Sequence, residues 1–134
     1  MKIAITDNRK IQHLQEEFTS SFPYLRIEFF SRSHKPGTGT SPRSMRAPER
    51  TIGECRKIHR KGHLSINENM TVAELEQSFR ELYGLNVQVF RKSGKVWLET
   101  TVTDGWTLAE QNSQGEALSN LVLMRTNGPA EDVN

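Results

Sequence analysis

Apolar residues alternate with smaller or polar ones at Ile3 and Ile5, then fall three or four apart at Ile11, Leu14, Phe18 and Phe22, and alternate again at Leu25, Ile27 and Phe29. A period of two suits a strand and a period near 3.6 a helix, so residues 2–30 predict a β-α-β unit. Asp7 or Asn8 is placed to cap the helix through a side-chain oxygen, and Pro23 to end it. Arg26 and Glu28 give the returning strand a wet face. The same pattern recurs from residue 63. Residues 2–23 lie on 63–84 without a gap and, once Tyr24 is skipped, residues 25–35 lie on 85–95. The match keeps nearly every apolar position and is identical at Ile5/Ile66, Asn8/Asn69, Leu14/Leu75, Phe18/Phe79, Leu25/Leu85, Phe30/Phe90, Ser33/Ser93 and Lys35/Lys95. A self-match over this length predicts an internal duplication.

The second unit has the more explicit local chemistry. Thr71-Val72-Ala73-Glu74 is a capping box, with Met70 before it to staple onto Leu75. Gly84 stands where helices stop in a left-handed conformation. Val87 and Val89 form the next strand, Ser93-Gly94 a tight turn, and Val96, Leu98, Thr100 and Val102 a returning strand with Trp97, Glu99 and Thr101 on its other face. Thr51–Cys55 can be laid on Val96–Thr100 as a third strand of the first unit, which pairs Glu54 with Glu99. The expected fold is therefore α+β: two tandem β-α-β(-β) repeats forming a largely antiparallel or mixed sheet, helices packed on one face, plus a C-terminal helix. One domain over 1–126 would hold repeat one (2–57, with a flexible basic insertion at 31–50), repeat two (63–103) and a helical segment (107–125). The capping box Thr107-Leu108-Ala109-Glu110 opens that segment, and its end, 118–125, reads as either helix or strand. Residues 127–134 form a polar tail expected to be flexible.

Composition changes this picture in four ways. Hydrophobic residues make up 34% of the 134, and mean hydropathy is −0.65, so part of the chain is expected outside the core. No apolar run approaches the ~20 residues of a membrane span, and the N-terminus lacks the apolar segment of a signal peptide. The single cysteine, Cys55, excludes an internal disulfide and makes a reducing cytoplasm the expected setting. Net charge is +2 but uneven: residues 31–63 hold nine Lys/Arg against Glu49 and Glu54, whereas 64–134 hold five against ten acids.

The basic stretch, Arg32, Lys35, Arg43, Arg46, Arg50, Arg56, Lys57, Arg60 and Lys61, suits contact with nucleic-acid phosphates or an acidic protein surface. It has no interleaved aromatics for base stacking. Cys55, His59 and His63, four apart, would share one side of a helix, with His34 nearby, but the surrounding cations oppose a metal there. The helix-then-strand stretch Val72–Val89, in a duplicated plan, resembles the vicinal-oxygen-chelate family, which includes glyoxalases and extradiol dioxygenases. That resemblance implies a metal-dependent enzyme whose centre draws on both copies; here Lys2 stands opposite His63, where a second histidine would be needed. Trp97 and Trp106 flank Glu99, and all three are candidate contacts for a partner. Serine elbows, phosphate-binding glycine loops and dinucleotide fingerprints are absent, and Gly37-Thr38-Gly39 does not make one. No catalytic residue and no cofactor is implied. The leading expectation is a non-enzymatic protein-binding module. Nucleic-acid binding through 32–61 and a metal-dependent enzyme follow as alternatives, and homodimerisation through an open strand edge fits all three.

Overall fold

A computed structural model describes residues 1–32, Lys35 and residues 37–127, with side chains of the last helix through Met124. Ser33, His34, Pro36 and residues 128–134 lie outside the described residues, as do the expectations resting on them. The elements run β1 (Lys2–Ile5), α1 (Ile11–Ser21), β2 (Leu25–Phe30), two 3-10 turns (Pro42–Ser44 and Gly53–Cys55), β3 (Gly62–Ser65), α2 (Val72–Tyr83), β4 (Asn86–Ser93), β5 (Val96–Glu99) and α3 (Leu108–Asn127). The fold is α+β with a C-terminal helix. Residues 118–125 belong to α3, where Ser119 is buried and Leu118 and Val122 half-buried.

The single shared sheet expected from the sequence is not what the strands form. They form two antiparallel sheets, β1-β3 and β2-β4-β5. Ile3 faces Leu64 in the first, and Ile27 faces Val89 in the second. Each sheet therefore joins a strand from residues 2–30 to one from 62–93, pairing across the chain rather than within each β-α-β stretch. The inward side chains of both sheets meet those of the helices in one cluster. Ile3, Leu14, Phe18, Ile27, Phe29, Leu75, Phe79, Val89 and Leu108 are all buried in it. Phe29 and Phe79 meet edge to face with ring centroids 5.9 Å apart.

The helix caps separate what local sequence decides from what it does not. Thr71 and Glu74 form the expected capping box, and Gly84 closes α2 at φ 64°, ψ 28°. Asp7 and Asn8 do not cap α1. Its N-cap is Lys10, without a side-chain cap, and the free amides of Ile11 and Gln12 donate instead to the carbonyls of Arg50 and Pro48 at 2.9 and 3.0 Å. In α2 the amides of Val72 and Ala73 donate likewise to Trp106 and Asp104.

Thr51–Cys55 is not a strand. Thr51 makes one antiparallel bridge to Lys10, and Gly53–Cys55 is a single 3-10 turn. Ile52 and Gly53 donate to the carbonyls of Arg9 and Asp7, as Leu108 and Ala109 donate to those of Met70 and Glu68. In its hydrogen bonds Thr51–Glu54 thus resembles Thr107–Glu110 and not β5. β5 itself stops at Glu99. Val102 is 92% exposed in the turn that follows.

The basic insertion carries more order than its composition predicts. Met45 bridges to Phe30, Arg46 N–H donates to Phe29 at 2.7 Å, and Ser31 N–H to Ser44 at 2.8 Å. Phe30, on the β2 face opposite Phe29, is buried, as is Thr40.

Candidate functional site

The nine cations of 32–61 do not form one patch. Arg56 turns inward: its side chain is fully buried, Nε and Nη2 donate to Asp7 Oδ1 at 3.0 and 2.9 Å, and Nη1 donates to the Tyr83 carbonyl at 3.1 Å. Arg50 pairs with Glu54 at 3.3 Å. Arg60 reaches the Leu82 carbonyl at 3.4 Å. Lys57 and Lys61 are exposed, as are Arg32, Lys35 and Arg43, while Arg46 is half-buried. Only part of the sequence-level charge is therefore available to a ligand.

Asp7, which the sequence places as a helix cap, instead anchors this region. It accepts from Arg56 and meets His59 Nδ1 at 2.8 Å, tying the β1–α1 turn to the 56–61 segment. Partial loss of water raises its carboxyl pKa, but the hydrogen bonds and charges of Arg56 and His59 outweigh this and hold it below the ordinary 3.8. Arg56 and His59 stand 49 and 52 positions from Asp7, a separation that leaves no local signal.

Cys55, His59 and His63 do not share a helix: they lie in the 3-10 turn, an extended segment and β3. The Cys55 thiol donates to the Thr51 carbonyl, and burial pushes its pKa up against the opposing charge of Arg46. It stays a protonated, weakly nucleophilic thiol at neutral pH. Among the described residues no group of three His, Cys, Asp or Glu side chains is placed to hold a metal ion. No helix among them is long and apolar enough to cross a membrane.

The tryptophans sit apart from this basic region. Trp97 is half-buried on β5, braced by the Arg26 guanidinium 4.9 Å and the Lys92 ammonium 6.0 Å from its ring centre. Such cation–π contacts hold the ring against the sheet. Glu99, on the same face, is exposed, and a side chain at Gly39 of the insertion would run into its carboxylate. Trp106 is partly exposed, with Arg91 5.7 Å from its ring centre. Val96 and Leu98, expected on a buried face, are 55% and 44% exposed. β5 is an edge strand with no further partner among the described residues.

No protein-family model matches the chain, and no curated protein or solved structure matches it.

Proposed function

We propose that this chain is a non-enzymatic protein-binding module that takes an extended polypeptide segment along β5. The observation that carries this reading is the placement of exposed apolar side chains. Val96, Leu98, Val102, Trp106, Leu121, Leu123 and Met124 are exposed within residues 96–124, whereas residues 1–95 expose only Met1, Met45, Ile58 and Leu82 among the described large hydrophobics. Val96 and Leu98, exposed on an unpaired strand edge, fit β-augmentation, in which main-chain hydrogen bonds supply affinity and side-chain contacts select the sequence. The net negative charge of 64–134 favours an occupant with apolar residues flanked by Lys or Arg. Trp97 and Glu99 on one face of β5, and Trp106 beyond it, would read the segment's side chains. The setting we infer is a reducing compartment, the cytoplasm.

The same reading includes an internal duplication of 2–57 and 63–127. It is supported by the matched hydrogen bonds of Ile52/Leu108 and Gly53/Ala109 and by antiparallel pairing of corresponding strands. Nucleic-acid binding through the whole of 32–61 has less support, because Arg56 and Arg50 are already paired.

Panning a random peptide library against the immobilised protein tests the proposal. The expected outcome is enrichment of apolar peptides with basic flanks. Their binding should be lost in Leu98→Glu at unchanged melting temperature, and they should slow amide exchange at 96–99. Enrichment that survives Leu98→Glu would move the site elsewhere. Sedimentation as a dimer abolished by Leu98→Glu would assign the edge to a second copy instead.

A further inference from the structure

Beside the 51–61 segment, far along the chain from β5, a cavity of about 380 Å³ opens between the basic insertion, the 3-10 turn and the start of β4. We infer that it binds a phosphoryl group, and that with the adjoining cavity it accommodates a ligand carrying two or more. Arg46, Arg56 and Lys57 line the first cavity with Ser31 and Asn86. Its one acid, Glu54, is occupied: Oε1 accepts from the Thr51 amide and hydroxyl and Oε2 from Arg50. Arg56 is likewise spent on Asp7 and Tyr83. Two lining cations, Arg46 and Lys57, have no carboxylate partner among the described residues. Arg46 Nε is buried and has no hydrogen-bond partner among the described residues. A buried guanidinium donor left unpaired is costly unless a ligand accepts from it. The Ser31 hydroxyl and Asn86 side chain are uncommitted among the described residues, so neutral donors flank the two charges.

The second cavity, of about 340 Å³, shares Ser31 with the first and is lined by Arg32, Ser41, Arg43 and Ser44. No acid lines it among the described residues. The two together present four cations, Arg46, Lys57, Arg32 and Arg43, that meet no carboxylate among the described residues, in hollows that share Ser31. Among the described residues no aromatic lines either cavity, so recognition would be of the phosphates and not of a stacked base. Each hollow falls within the size range of small-ligand sites. Two sources share this chemistry: a small oligophosphate compound, or consecutive phosphates of a nucleic-acid strand.

Calorimetric titration of the full chain in ~150 mM salt, near physiological ionic strength, tests the inference, with inorganic tripolyphosphate in one arm and a twenty-nucleotide oligothymidylate in the other. Tripolyphosphate is expected to bind, and Arg46→Gln to weaken it about tenfold, the weight of one charge-assisted hydrogen bond. Lys57→Gln, at an exposed side chain that does not support folding, should weaken it comparably and stands in should Arg46→Gln fail to fold. Lys61→Gln, outside both cavities, should change affinity less than about twofold, as a screened surface charge does. Tighter binding of oligothymidylate than of tripolyphosphate, with the same dependence on Arg46 and Lys57, would assign the phosphates to nucleic acid. Failure of both probes to bind at millimolar concentration, or equal losses from Lys61→Gln and Lys57→Gln, would overturn the inference.

Discussion

Residues 51–61 and 107–117 begin alike and end differently. Both open on a Thr-x-x-Glu capping box, both bury the second residue completely (Ile52 and Leu108), and both donate two amides to the turn before the preceding helix. The first then leaves the helical path at Arg56, at φ −147° and ψ 158°, while the second continues to Asn127. The divergence follows from what comes next. After Glu110, Gln111 donates to Thr103 and accepts from Arg91, Gly115 packs against Tyr24 and Arg91, and Ser119 accepts from the Gly94 amide. After Glu54, Arg56 is drawn inward to Asp7 and Tyr83, and the chain must extend to reach them. A cap specifies where a helix starts; its tertiary partners specify how far it runs. The short version leaves the hollow lined by Arg46 and Lys57, whereas the long one lays α3 against β4 beside the exposed β5 edge.

The largest test of this comparison is the pair Ile52→Ala and Leu108→Ala. Each should cost about 2–5 kcal/mol in urea unfolding, as for fully buried aliphatic side chains. A loss below about 1 kcal/mol for Ile52→Ala, the range of a surface position, would mean that the first segment is not held as the second is. Next comes Gly84→Ala. The left-handed φ and an Ile58 Cγ1 only 2.6 Å from the added methyl make it costly, by about 1–3 kcal/mol. α1 ends on Phe22 at φ −130°, so Phe22→Gly should show no comparable backbone strain to relieve and should instead lose the packing of Phe22 on Phe18.

The caps should differ in readout more than in energy. Thr107→Ala and Thr51→Ala should each destabilise by about 0.5–2 kcal/mol, but only Thr107→Ala should lower helical circular dichroism below the melting transition, because only it caps a long helix. The smallest effect is in pH. The depressed Asp7 carboxyl stabilises the fold in full above its ordinary value of 3.8, and that contribution is lost as pH falls through the lower folded-state value. Glu54 and Glu110, each held low by the amide of its own capping box, titrate in parent and variant alike and cancel from the difference. Melting temperatures of the parent and Asp7→Asn should therefore differ at neutral pH and converge below 3.8. A constant gap would show that Asp7 does not hold Arg56 by charge.

Periodicity and local chemistry determined a good deal by themselves. The helices from Ile11 and Val72, the strands around Ile27 and Val89, the turn at Gly94 and the capping boxes at Thr71 and Thr107 are all short-range features, settled by residues within four positions of one another. Tertiary structure alone decided the rest. The strands divided into two antiparallel sheets because β1 pairs with β3 and β2 with β4, each some sixty residues away, as Ile3 does with Leu64, and no local pattern encodes that choice. Thr51–Cys55 looked like a strand because alternation over five residues also fits a capped turn; the amides bonded to Arg9 and Asp7 decide between them. The charges of 32–61 were countable, and Arg50 finds Glu54 four residues on, but that Arg56 is spent depended on Asp7 and Tyr83 arriving from elsewhere in the chain. A cation's availability is a property of its neighbours in space, and only the folded chain supplies them.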